Sequence, residues 1–110
     1  MTGKPPFGRL STLIYAAIYG NLQQIARDNG YSLAVHGSLQ RDCDLIAVPW
    51  TDEACDAEEL INKFAWALQA TRTEAELKPH GRVAYFIILE AGMGVDISVM
   101  PKHGEGNSKK

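Results

Sequence analysis

Few of the features that fix a protein's class at once are present in this sequence. Its 110 residues include only two cysteines, Cys43 and Cys55, which supply no disulfide framework. No apolar run reaches the roughly 18–20 residues of a membrane span. The opening Met1-Thr2-Gly3-Lys4-Pro5-Pro6 lacks a signal-peptide core. The expectation is a soluble, cytoplasmic protein with no membrane partner. Charge of one sign is scarce too. A formal net charge of -2 argues against coating nucleic acid by bulk charge, though a local basic patch stays compatible with it. There is no internal repeat. What remains is a 45% hydrophobic composition, enough for the core of one small domain.

Gly3, Pro5, Pro6 and Gly8 mark residues 1–9 as a flexible lead-in. A helix is expected from about Leu10 to Asp28, because Leu10, Leu13, Ile14, Ala17, Ile18, Leu22 and Ile25 recur at three- and four-residue steps. Asn29-Gly30 is its stop. Apolar runs then predict strands at about Tyr31–His36 and Cys43–Pro49, the second ended by its proline. Asp56 reads as the N-cap of a second helix, with Glu59 reaching back in a capping box. Leu60, Phe64, Ala67 and Leu68 form that helix's buried stripe, which ends near Thr71. A polar segment leads to further strands at Val83–Leu89 and Val95–Met100, joined by the turn Glu90-Ala91-Gly92-Met93-Gly94. The tail, 102–110, has the composition of a disordered segment. The fold class that follows is α+β: a small mixed or antiparallel sheet in the order α-β-β-α-β-β over residues 10–101. Short links favour two hairpins, and both helices should cover one face, with an acidic site on the edge of the other.

That site is suggested by His36-Gly37-Ser38-Leu39-Gln40-Arg41-Asp42-Cys43-Asp44. On a strand, Asp42 and Asp44 project from one face. Carboxylates about 5 Å apart repel by roughly 3 kcal/mol at an effective dielectric near 20. A cation between them relieves this, and aspartate oxygens suit Mg²⁺, which takes one or two carboxylates together with substrate phosphates. In Gly94-Val95-Asp96-Ile97-Ser98-Val99, alternation sets Asp96 and Ser98 opposite three β-branched residues. If that strand lies beside the Asp44 strand, three acids converge. The bland alternative is a hairpin tip at Ser38–Asp42, where aspartate is common. Lys78, His80 and Arg82 form a basic cluster able to receive phosphate or an acidic acceptor, or else a solvated loop. Trp50 is either a base-stacking or a rim-packing residue, Trp66 packs on the sheet or faces a partner, and His36 is a polar strand end. Cys43 reads as a small buried hydrophobe. Glu53, Glu58 and Glu59 read as helix-start charges.

Gly37-Ser38 ending one strand, Asp42-x-Asp44 opening the next and Asp96 on a later one resemble a minimal nucleotidyltransferase of the polymerase-β-like superfamily. The resemblance spans about residues 10 to 101. It implies an enzyme that moves an NMP from an NTP to a protein, an RNA or a small molecule, with Mg²⁺ or Mn²⁺ held by Asp42, Asp44 and Asp96. It also implies that Gly37 and Ser38 meet the triphosphate and that Asp96 helps activate the acceptor hydroxyl. Antitoxin modules of that superfamily are the nearest in size, and small phage and prophage proteins look similar as well. Only Leu39-Gln40-Arg41 separates the Gly-Ser pair from Asp42, where members of the superfamily carry a longer connection. Arg41 is placed to compensate through guanidinium contacts with phosphate. The alternative implied by the short connection is a catalytically degenerate binding protein of the same fold, such as a phage protein that contacts a host protein. So short a chain has no separate acceptor domain, so a protein partner, a homodimer or a nucleic-acid acceptor is expected to complete the site.

Overall fold

The computed structural model describes residues 4–36, 43–90 and 92–102. The segment 37–42, and with it Gly37, Ser38, Arg41 and Asp42, lies outside the described residues, as does the tail from His103 onward. The elements are α1 (Lys4–Asp28), β1 (Tyr31–Val35), β2 (Cys43–Pro49), α2 (Ala57–Leu68), β3 (Thr71–Arg72), β4 (Glu76–Leu77), a 3₁₀ turn (Pro79–Gly81), β5 (Val83–Ile88) and β6 (Gly94–Val99). The class is α+β, with two helices and a six-stranded mixed sheet. The order differs from α-β-β-α-β-β by the two-residue strands β3 and β4, which the polar segment after α2 contributes along β5. The sheet runs β1-β2-β6-β5-β3, with β4 also on β5. The expected hairpins, β1–β2 and β5–β6, are antiparallel, and β2 and β6 meet in parallel at its centre.

Side-chain alternation explains the layering. Leu33, Cys43, Leu45, Ala47, Tyr85, Ile87, Val95, Ile97 and Val99 all face inward. They form one core with Tyr15, Leu22 and Ala26 of α1 and Leu60, Ile61 and Phe64 of α2. Both helices therefore cover the same face. Cys43 is fully buried, as expected, and burial, together with the charge of Asp44, pushes its thiol up to about 11.

Helix boundaries depart from expectation in three places. α1 starts at Lys4, because Pro5 and Pro6 fall in the first turn, where a missing N–H breaks no intrahelical bond. α2 ends at Leu68, short of Thr71: Gln69 adopts a left-handed conformation (φ 52°), and Ala70 N–H returns to Ala65 O at 3.0 Å, which turns the chain into β3. Asp56 occupies the N-cap position but its side chain makes no cap hydrogen bond, so the capping box does not form. Its Oδ1 lies 3.5 Å from Lys102 Nζ, while Glu59 pairs with Lys63 at 3.4 Å, one helical turn on.

A polar tie joins α2 to the sheet. Arg72 Nη2 meets Glu58 Oε1 at 2.7 Å, its guanidinium sits 5.6 Å from the centre of the Tyr85 ring, and Tyr85 Oη donates to Glu58 Oε2 at 3.0 Å. The Arg72 hydrogen bond holds the Glu58 carboxyl below the usual range. Burial, then the Glu58 hydrogen bond, pushes Tyr85 from 10.0 up to about 12. The neutral phenol is thus favoured by folding. Its contribution, on the order of 2 kcal/mol, is whole below pH 10 and disappears as pH rises through 12. Urea midpoints measured from pH 8 to 12 should fall more steeply for wild type than for Tyr85→Phe. Parallel curves for the two proteins would overturn this account.

Candidate active site

The sheet face away from the helices carries every second residue of β2, β6 and β5. Asp44 and Asp96 are register partners on the parallel pair β2–β6, one strand spacing apart (about 4.8 Å) and on the same face. Asp44 is half-buried and Asp96 exposed. Beside Asp96, Phe86 of β5 is its antiparallel partner, and the next row along is Ile46, Ser98 and Ala84. These residues floor an open groove of about 470 Å³. Thr73, Glu74 and Glu76 wall it on the β3–β4 side, Lys78 and Arg82 bring positive charge, and His36 stands at the β1 end.

Local sequence explains each placement. β2 enters the sheet immediately after the segment 37–42, so Asp44 is its second residue. His36 N–H donates to Asp44 O at 2.6 Å, which extends the β1–β2 ladder past Val35. Arg82, just before β5, reaches to the neighbouring strand β6, where its Nη1 donates to Ser98 Oγ at 3.3 Å. Lys78 Nζ pairs with Glu76 Oε2 at 3.2 Å, and Lys78 N–H donates to Arg82 O at 2.8 Å, closing the loop that carries both cations. Two carboxylates thus share one face and line one groove with two cations, in a cleft of the size that takes small ligands.

Asp44 and Asp96 share one register row on β2 and β6, while Asp42, the third acid of the expected convergence, lies outside the described residues. Among the described residues, no group of three or more His, Cys, Asp or Glu side chains is poised to hold a metal. Lys78 and Arg82 line the groove; His80 does not. His80 takes a left-handed conformation (φ 68°) in the Pro79–Gly81 turn, which separates it from the two cations on either side. Trp50 is 61% exposed outside the groove, and Trp66 is 83% exposed on α2, so it does not pack on the sheet. Glu58 and Glu59 pair within the helical layer and its neighbours, consistent with helix-start charges.

Phe86, Thr73, Glu74 and Glu76 were not anticipated. Alternation within Val83–Leu89 groups Ala84 with Phe86, but both faces of that run are apolar, so its pattern does not say which faces outward. β3 and β4 are too short to leave a pattern at all.

No protein-family model matches the chain, and no curated protein matches it. No helix among the described residues is long and apolar enough to cross a membrane. What the groove does must therefore be argued from its own chemistry. Carboxylate oxygens from Asp44 and Asp96 are the hard donors that Mg²⁺ and Mn²⁺ prefer, so the residues present fit such an ion. The adjoining cations fit the phosphates that such an ion accompanies.

Proposed function

We propose that the chain is a divalent-metal-dependent nucleotidyltransferase, a minimal member of the polymerase-β-like superfamily, that transfers an NMP from an NTP to a hydroxyl acceptor. The observation that carries this reading is the register pairing of Asp44 with Asp96 on the open face of the sheet, inside a groove that also holds Arg82 and Lys78. Asp44 and Asp96, with Asp42 as the third acid of the motif, would hold Mg²⁺ or Mn²⁺. The bound ion supplies charge neutralisation at the phosphoryl oxygens and at the leaving pyrophosphate.

The chain's own residues do the rest. Arg82, anchored on Ser98, and Lys78 bind phosphate oxygens and orient the triphosphate along the groove. Gly37, Ser38 and Arg41 contribute from the segment that precedes Asp42. Asp96, the more exposed of the pair, is placed to orient the acceptor hydroxyl and take its proton. Position and electrostatics are most of what phosphoryl transfer asks of a protein. The acceptor is a protein, an RNA or a small molecule, brought by a partner or by a second copy of the chain.

A second reading, a nucleotide-binding protein of this fold that transfers nothing, is favoured by the three-residue connection Leu39-Gln40-Arg41. One pair of measurements separates the two. Ligand that binds only the native state stabilises it by RT ln(1 + [L]/Kd), about 2.7 kcal/mol at one hundred times Kd. Melting temperature should therefore rise with Mn²⁺ plus NTP, and label from the NTP α-phosphate should appear in lysate protein or RNA. A thermal shift without label transfer selects the second reading. No metal-dependent shift at all would sink both.

A further inference from the structure

The phosphate end of the groove is defined by Arg82 on Ser98, but nothing so far holds the nucleoside end. Along β6, Gly94, Asp96 and Ser98 occupy alternate positions on the open face, each step about 6.7 Å. Asp96 stands in the middle, and Ser98 with Arg82 lies to one side. On the other side is Gly94, and the far end of the Phe86 ring covers it: a Cβ at Gly94 would fall among Phe86 Cζ, Cε1 and Cε2. The absence of a side chain at Gly94 is what leaves room for the far end of the ring there. Its position is fixed from below and from the side. Gly94 N–H donates to the buried Tyr15 Oη at 3.1 Å. Phe86 N–H donates to Thr73 Oγ1 at 3.0 Å, and Phe86 O accepts from Thr73 N–H at 2.9 Å.

This phenyl ring is not part of the hydrophobic core, which Tyr85 and Ile87 close from the opposite side of β5. It is half-buried, lines the groove, and is the register partner of Asp96. An aromatic surface held against backbone, one strand from a carboxylate pair and on the side opposite the phosphate-binding cations, has the placement that a base needs when its α-phosphate lies at those carboxylates. We propose that Phe86 is the stacking platform for the nucleobase of the NTP, and that Gly94 is the positioning residue whose missing side chain holds a place for the end of the ring. The proposal rests on reading the groove as an NTP site. Every base has a π face, so the platform supplies affinity for a nucleoside without selecting strongly among the four.

Isothermal titration of the full chain with MgATP and with magnesium tripolyphosphate tests it, because the second ligand has the phosphates and no base. Wild type should bind MgATP more tightly than tripolyphosphate, by about 5- to 150-fold, the scale of base–aromatic stacking. Phe86→Leu keeps an apolar group over Gly94 but has no π face, so it should lower ATP affinity to near that of tripolyphosphate and leave tripolyphosphate within about twofold of wild type. Gly94→Ala should reproduce the selective loss by expelling the ring, and Phe86→Leu/Gly94→Ala should lose no more than either alone. Equal weakening of both ligands by Phe86→Leu would overturn the stacking role and leave the transferase reading intact. So would equal affinity of wild type for the two. If neither ligand binds wild type, the NTP reading fails and the platform fails with it.

Discussion

Replacing Gly30 with alanine should lower stability by about 2–5 kcal/mol, a large share of what holds a domain of this size together. Gly30 ends α1 with φ +89°, in the region that L side chains avoid at a cost of about 1–2 kcal/mol. The larger problem is space. A Cβ there would lie 2.7 Å from Ala54 Cα, 2.9 Å from Ala54 Cβ and 2.9 Å from Thr51 Cγ2. The closest of these is backbone, so no side-chain rotation relieves it, and overpacking of this kind costs about 1–3 kcal/mol. Retreat is also blocked, because Gly30 O accepts Trp50 N–H at 2.9 Å and Gly30 N–H donates to Arg27 O at 3.2 Å. The first of these bonds starts the β1–β2 ladder, so the strain is passed to the strand that carries Asp44. Chemical denaturation of wild type and Gly30→Ala gives the difference directly. A midpoint shift equivalent to less than 1 kcal/mol, with unchanged slope, would show that the Thr51–Ala54 loop gives way freely.

Gly30 also illustrates what the sequence reveals. The Asn29-Gly30 stop, the two strands after it and the paired alternation around Asp44 and Asp96 are legible because each depends on local chemistry: a conformation only glycine adopts easily, or a period of two. Placing Asp44 beside Asp96 needed one further step, the return of β6 to the centre of the sheet, which the element order permitted but did not dictate. Other features were hidden for physical reasons. β3 and β4 are two residues each and exist because β5 offers an edge to pair with. The capping box does not form, and the Asp56 side chain lies instead 3.5 Å from Lys102, a residue 46 positions away. Phe86 belongs to a run that is apolar on both faces, so its alternation does not say that it faces the groove. Its placement shows only when the missing side chain of Gly94, on the neighbouring strand, is seen beside it.

Asp44→Asn and Asp96→Asn should each reduce metal-dependent NMP transfer by about 10²-fold to 10³-fold, the loss typical when one charge-stabilising group is removed from an active site. Neither change alters volume, and both leave the inward rows Cys43–Val95 and Leu45–Ile97 untouched. The fold therefore survives. The same substitutions should abolish the rise in melting temperature that Mn²⁺ and NTP give to wild type. This crossed pattern, unharmed without metal and unresponsive with it, separates a metal-holding pair from a structural one. Residues that act as one unit are not additive, so the double variant should be no worse than the poorer single variant. Glu59→Gln removes the same charge from α2, where Glu59 pairs with Lys63, and should transfer label as wild type does. If transfer survives Asp44→Asn or Asp96→Asn within threefold, the pairing of these two side chains across β2 and β6 is not the catalytic centre.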